Sequence, residues 1–315
     1  MMIEFIKKYL NLCPVAGNEK EAADFIKNTV SVYADECYTD NMGNLIAFCK
    51  SAQKKAKKLL ITCNLDVFGG VVTYIDESGK ISISKLGEAN FSPGTGVRFS
   101  GGTCGVLEKD NENFFADIGS SSKEESERHV KIGEAVTAGS NLQKLLNGKI
   151  FGFCADDIAA VYILCSLLKE KEKSAYDIYY VFSSQSKLGF RGIQTAAYNI
   201  NPDEAIIVDS FDADGKNSGI AVGGGCGVRV KDGMCISSPQ FCESLCVLAE
   251  ENNIKYKKII TDGKSEAKFV SAAAEGCRFA GVCIPAKRTG LFSVISENDI
   301  SCAKNLLSEY IKRGI

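Results

Sequence analysis

Three short segments of the sequence place carboxylate side chains where chemistry is expected. Each follows an apolar run: Asn64 to Asp66 after KLLITC, Asp156 and Asp157 after IFGFCA, and Asp209 after EAIIV. Carboxylates held close together repel one another unless a cation lies among them. The pattern therefore predicts either one cation-binding centre or, for each aspartate taken alone, a cap on the turn or helix that follows it.

The elements around these segments indicate how they would be positioned. The runs KLLITCN, IFGFC, DIYYVFSS, EAIIVDS and RFAGVCIP are apolar on successive residues, which is typical of strands covered on both faces. Segments with helical spacing, such as DIAAVYILCSLLKEK, separate them. Strands alternating with helices predict an α/β fold whose ligands lie at the carboxyl ends of the strands. The three aspartate segments are therefore expected to converge on one pocket.

The stretch 69–148 has a different character. Short β-rich runs such as VVTYID and KISISK alternate there with turns such as ESGK and SPGTG. This spacing favours a small β-barrel or sandwich. We therefore predict an α/β domain formed by residues 1–68 and 149–315, interrupted by an inserted β-barrel-like domain at residues 69–148.

Composition excludes several classes of function. The chain has 315 residues, is 45% hydrophobic and carries a net charge of −2, so it lacks the strong field that holds nucleic acid or an anionic membrane. Neither a signal-peptide pattern in MMIEFIKKYLNL nor an apolar run of about 20 residues is present. Fourteen cysteines are scattered through apolar segments, as reduced buried thiols are. We expect a cytoplasmic protein with no nucleic-acid or membrane partner.

The single histidine is a sharper constraint. Most hydrolytic zinc sites and most serine or cysteine hydrolases use an imidazole. His129 lies in the predicted insert, far along the sequence from the aspartate segments, and is expected on the surface. Cys63 and Cys154 flank the strand ends and could ligate a metal as thiolates, but strand alternation turns Cys63 away from Asn64 and favours core packing. Cys154 stays the more open alternative.

The sequence resembles a family of two-metal aminopeptidases, the tetrahedral and glutamyl aminopeptidases, some of which are named endoglucanases or cellulases. Segments spread over the whole chain carry the resemblance: AGNEKEAADFI, LLITCNLDVFGGVV, GFCADDIAAVYIL and SSQSKLGFRGIQTAAYNI. The resemblance implies a mixed-sheet, zinc-peptidase-like catalytic domain interrupted by a β-barrel-like domain. In the family, this insert mediates dimerisation and assembly into larger shells, and two divalent metal ions, usually zinc or cobalt, lie in the catalytic domain.

The resemblance also assigns roles to three retained aspartates. Asp156 stands where the family has the carboxylate that bridges the two metals, and Asp209 stands at a ligand of one metal. Asp66 stands where the family orients a ligating histidine. Of the family's five metal ligands, the sequence thus keeps two, at Asp156 and Asp209.

Four other positions depart from the family pattern. Asn64 replaces a ligating histidine, Ser186 replaces the glutamate that acts as general base, and Lys187 replaces a ligating glutamate. The final histidine ligand falls in the segment KRTGL, which includes Gly290. A serine hydroxyl cannot deprotonate water near neutral pH, and a catalytic zinc needs about three protein ligands. No catalytic set is therefore expected to be intact.

We therefore predict a degenerate member of this family that needs no cofactor and catalyses peptide hydrolysis weakly or not at all. Asn64, Lys187 and Gly290 would line a pocket for a peptide or an amino-acid-like ligand. The chain would form a homo-oligomer or assemble with a paralogue. For Lys187, one hypothesis places its ammonium between Asp156 and Asp209, and the alternative turns it to solvent.

Two catalytic alternatives stay open. One is an active aminopeptidase with an unusual metal shell built from Asp66, Asp156 and Asp209, completed by Asn64 or Glu266. The other is a serine hydrolase that uses Ser186 as nucleophile and Lys187 as base.

Overall fold

The computed structural model describes residues 2–110, 113–139, 141–214, 219–289 and 291–313. In this part of the chain the helices are α1 (Met2–Leu10), α2 (Lys20–Val30), α3 (Lys123–His129), α4 (Ala155–Glu170), α5 (Arg191–Ile200), α6 (Pro239–Glu251), α7 (Ala267–Ser271) and α8 (Glu297–Lys312). None of these helices combines the length and apolar character needed to cross a membrane.

The strands fall into an open sheet and a barrel. The sheet strands are β1 (Glu36–Thr39), β2 (Leu45–Cys49), β3 (Lys58–Asn64), β10 (Gln143–Lys144), β11 (Lys149–Phe153), β12 (Asp177–Ser183), β13 (Glu204–Asp212), β14 (Cys226–Lys231), β15 (Tyr256–Ile260), β16 (Arg278–Thr289) and β17 (Phe292–Ser296). The barrel strands are β4 (Gly69–Ile75), β5 (Ile81–Leu86), β6 (Gly96–Phe99), β7 (Cys104–Asp110), β8 (Asn113–Asp117) and β9 (Ala135–Ala138).

The open sheet is mixed. Its main order is β1-β2-β12-β3-β13-β16-β17-β11-β10, and the pair β14-β15 attaches to β16. At its centre β12, β3, β13 and β16 run parallel, whereas the outer pairings β1-β2, β2-β12, β16-β17, β17-β11 and β11-β10 are antiparallel. The carboxyl ends of the four parallel strands therefore meet at one edge, where the site lies.

Alternation along the central strands divides the core into two layers. In β3, Leu59, Ile61 and Cys63 pack into the large core with α1, α2, α4, α6 and α8, while Leu60 packs against α5 and α7. Strand side chains alternate between faces, so Thr62 and Asn64 share the face of Leu60. Cys63 is a buried core residue, as predicted.

The six barrel strands close in the order β4-β5-β8-β7-β6-β9. The predicted combination of a mixed-sheet α/β fold with a β-barrel is confirmed. The domain limits 1–68, 69–148 and 149–315 stay a prediction.

The barrel touches the loop that follows β12. Gly87, in the turn after β5, has φ +66°. A Cβ at this position would lie 2.3 Å from the carbonyl oxygen of Lys187, so only glycine allows this approach without displacing the loop.

One helix is shorter than its sequence suggests. The run SEAKFVSAAAEG predicts a helix over 265–276, but α7 spans only Ala267–Ser271. Ala274 has φ +48° and Gly276 has φ +80°, conformations that end a helix.

Candidate functional site

Asp66, just beyond β3, holds the loop after β12. Its fully buried carboxylate accepts hydrogen bonds from the amides of Ser186 at 3.0 Å and Lys187 at 2.7 Å. The amide of Gln185 donates to Glu19 at 2.7 Å. The amides of residues 185–187 thus donate to two carboxylates, those of Glu19 and Asp66. Gln185 adopts a left-handed backbone conformation, with φ +52°. Burial raises the pKa of Asp66 to about 7. Asp66 therefore positions this loop instead of capping its own turn.

Asp156 lies in the first turn of α4 and is held by three side chains. Its Oδ1 accepts from Ser293 at 2.9 Å, its Oδ2 accepts from Ser210 at 2.8 Å, and the guanidinium of Arg288 lies 3.0 Å from Oδ2. Burial alone would raise the pKa of Asp156, but Arg288 and the two serine hydroxyls lower it. Asp156 is therefore an ionised, fully engaged carboxylate.

Asp157 pairs with Lys187. Their charged atoms lie 2.9 Å apart, with side-chain exposures of 8% and 15%. Asn64 donates to Asp157 at 3.3 Å and to the Asp66 carbonyl at 2.8 Å. The Lys187 ammonium also lies 4.3 Å from the ring centroid of Phe68. Asn64 and Lys187 thus do converge at the strand ends.

The two hypotheses for Lys187 are both wrong. Its side chain is buried, and its ion pair within the described residues is with Asp157, not with Asp156 or Asp209. The cause is that two arginines already hold those aspartates. Burial by itself would lower the pKa of Lys187, but the carboxylates of Asp157 and Asp66 raise it. A lysine held protonated in this way does not fit the role of base for Ser186.

Asp209, near the end of β13, pairs with Arg229 of β14 at 3.0 Å. The same guanidinium donates to the Ser210 carbonyl at 3.1 Å. Since Asp209 lies within a strand, it caps no helix. Arg229 was not among the residues predicted for the site. The apolar run CGVRV did hold a signal for it, since a buried guanidinium requires an acceptor nearby.

A second cluster lies beside the loop and centres on Glu266. Its carboxylate accepts from Thr62 at 2.7 Å, from Ser186 at 3.1 Å and, through a short contact, from Ser183. Burial raises the pKa of Glu266, although these hydroxyls act against it. The hydroxyl of Ser186 is therefore bonded to a buried carboxyl at the N-cap of α7.

Three further candidates are Cys154, His129 and Gly290. Cys154 precedes α4 with φ +44°, and its buried thiol points to the carbonyl of Leu291. His129 is exposed at the end of α3. Gly290 lies outside the described residues.

The described side chains do not form a metal site in this arrangement. No group of three His, Cys, Asp or Glu residues in the described part of the chain is placed to hold an ion. Asp156 and Asp209, the positions predicted to keep metal ligands, are each bound by an arginine. The residues present therefore do not fit a pair of divalent ions as they stand.

Known proteins resemble this chain over nearly its full length. A candidate aminopeptidase of Acetivibrio thermocellus is 32% identical over 329 residues, covering 98% of both chains. The structure of an aminopeptidase from the archaeon Desulfurococcus kamchatkensis superposes with a TM-score of 0.90 at 24% identity, covering 99% of this chain and 94% of that one. The TET1 peptidase of Pyrococcus horikoshii superposes with a TM-score of 0.84 at 22% identity, covering 99% of each chain. These two structures establish the fold.

The family match corrects one expectation. The model described as M42 glutamyl aminopeptidase matches residues 43–306. This family normally uses divalent metal ions, so the expectation that no cofactor is involved is wrong for a member of it. The match covers most of the sequence and agrees with the full-length relative. The chain therefore belongs to the M42 glutamyl aminopeptidase family.

Proposed function

We propose that this chain binds a peptide or an amino-acid-related ligand at the strand ends and hydrolyses peptide bonds weakly or not at all. One observation carries the proposal: Asp156, Asp157 and Asp209 are each bound to a basic side chain of the chain itself. A carboxylate that holds a guanidinium or an ammonium at 3 Å is not free to take up the cation that a metallopeptidase places there.

The state of the proton acceptors supports the same proposal. General base catalysis contributes about 10²- to 10⁴-fold to a rate. At the position that corresponds to the family's base, the side chain is the hydroxyl of Ser186, which bonds to Glu266. Lys187 beside it is paired with Asp157. Neither residue is placed to take a proton from water.

The test is turnover measured together with metal content. The full chain is purified without chelator, zinc, cobalt and manganese are measured per chain, and aminoacyl-anilides are assayed with each metal added. An active M42 aminopeptidase is assayed in parallel. We expect kcat/KM to be at least about 10²-fold below that of the active enzyme. Stoichiometric metal with comparable turnover would overturn the proposal and favour an active enzyme with an atypical shell of Asp66, Asp156 and Asp209 with Asn64 or Glu266.

We also propose that the chain acts as an oligomer assembled through residues 69–148, with itself or with a paralogue. Its support is the likeness to the Pyrococcus horikoshii TET1 peptidase, which can assemble into a tetrahedron or a large octahedral shell. Light scattering on the full chain is expected to give a mass of several subunits. The proposal would be contradicted by a monomeric mass at micromolar concentration that does not change when a paralogue is added.

A further inference from the structure

The two arginine–aspartate pairs of the site differ in which partner is exposed. Arg288 is 41% exposed and covers Asp156, whose side chain is 7% exposed. Arg229 is 6% exposed and supports Asp209, whose side chain is 25% exposed. Arg288 thus lies between a buried carboxylate and solvent, whereas Arg229 lies behind a carboxylate that itself reaches solvent.

We propose that Arg288 is a built-in competitor for divalent cations at Asp156. Its guanidinium lies 3.0 Å from Oδ2 of the carboxylate that a divalent cation would need, so the two cations would compete for Asp156. The family normally uses divalent ions, yet the carboxylates of this site pair with basic side chains. Competition by Arg288 would explain how both hold. The inference concerns the same site as the proposed function, but it is tested by binding and can fail separately.

Asp156 stays in place without Arg288. The hydroxyls of Ser293 and Ser210 hold one oxygen each, at 2.9 and 2.8 Å. A carboxylate oriented by neighbouring donors is already arranged for a ligand. Arg288 also donates to the Ser210 hydroxyl, so Ser293 is the donor that holds Asp156 independently of Arg288. Removing Arg288 therefore uncovers Oδ2 while Ser293 still holds Oδ1.

The charges near Arg288 set the direction of the effect. Asp156, Asp157 and Asp209 are accompanied by three basic side chains, Arg288, Lys187 and Arg229. Loss of Arg288 leaves this group with one excess negative charge. Carboxylate and hydroxyl oxygens suit a hard divalent ion such as Mn²⁺.

The test is calorimetric titration of the full-length Arg288→Met variant with Mn²⁺. A unit charge near 4 Å is worth several kcal/mol at an intermediate dielectric constant, and partial exposure reduces this, so we expect binding tighter than wild type by about tenfold or more. The matched control is Arg128→Met, which removes an exposed arginine of α3, between the barrel strands β8 and β9. This control should bind Mn²⁺ as wild type does.

Two further variants complete the test. Adding Asp156→Asn to Arg288→Met should abolish the gain in affinity. If Arg288→Met fails to fold, as judged by circular dichroism, Arg288→Gln replaces it, which removes the charge, keeps a polar side chain and should give the same gain. An affinity equal to that of wild type in the folded variant, or a gain that persists with Asp156→Asn, would overturn the proposal.

Discussion

Carboxyls at the strand ends, all but Asp209 buried, fall into two groups that differ in what holds them. The cation-held group, Asp156, Asp157 and Asp209, pairs with arginine or lysine. The hydrogen-bonded group, Asp66 and Glu266, is held by backbone amides and hydroxyls, with no ion pair within the described residues. The groups are neighbours at the strand ends, yet different partners compensate their charges.

The pKa values follow this difference at Asp156 but not at Asp157, whose pKa is raised by burial even though Lys187 acts to lower it. Arg288 keeps the pKa of Asp156 below its usual value despite burial, whereas burial raises the pKa of Asp66 to about 7 and also raises that of Glu266. Neutral donors compensate a buried charge less completely than a fixed cation does. Asp156 therefore stays ionised, whereas Asp66 and Glu266 retain a proton more readily.

The largest effect on stability is expected when a carboxylate of the cation-held group loses its basic partner. Lys187→Met leaves Asp157 buried without its cation, and removing one partner of a buried pair costs about 3–5 kcal/mol. Urea unfolding at pH 8 measures this loss in the free energy of unfolding. The matched control adds Asp157→Asn, which removes the stranded charge and should recover most of the loss. A double variant as unstable as the single one would mean that packing, and not charge, sets the cost.

A smaller effect is expected in the hydrogen-bonded group. Asp66→Ala leaves the amides of Ser186 and Lys187 without their acceptor, and buried donors left in this way cost about 1–3 kcal/mol each. Part of that cost is offset because a buried carboxylate is also removed, so we expect a net loss of about 2 kcal/mol in urea unfolding at pH 8.

Asp66→Asn is the control for this change. It keeps one acceptor oxygen and should lose about half as much stability. If Asp66→Ala were as stable as wild type, Asp66 would not be what holds the loop, and the contrast between the two groups would fail.

The fold could be predicted further than the site. Successive apolar residues and glycine-rich turns indicated the mixed sheet and the barrel, because these patterns reflect local burial. The end of α7 could not be predicted from the run SEAKFVSAAAEG, whose alanines favour a helix. There the left-handed conformations at Ala274 and Gly276 prevail over local propensity.

In the site, sequence located the aspartates but not their partners. The positions of Asp156 and Asp209 follow from strand ends, which sequence patterns define. The pairing of Asp209 with Arg229 depends on the order β13-β16-β14 across the sheet. The pairing of Asp156 with Arg288 depends on the order β16-β17-β11, because α4 follows β11. Lys187 illustrates the limit, since its partner was decided by which aspartates the two arginines already occupied.

The smallest effect, and the finest test of the comparison, concerns pH. Glu266 has a raised pKa in the folded state, so above about pH 4.3, its usual value, the folded chain holds a proton that the unfolded chain has lost. Its contribution to stability is complete below that pH and is lost as pH rises through the folded-state pKa. Glu266→Gln should lower the free energy of unfolding by about 1 kcal/mol or less. Between pH 5 and 8, the free energy of unfolding of this variant should fall less than that of wild type. Glu243→Gln, at an exposed glutamate, should keep the wild-type slope. If Glu266→Gln kept it as well, the Glu266 carboxyl would be ionised like Asp156, and the two groups would not differ in charge.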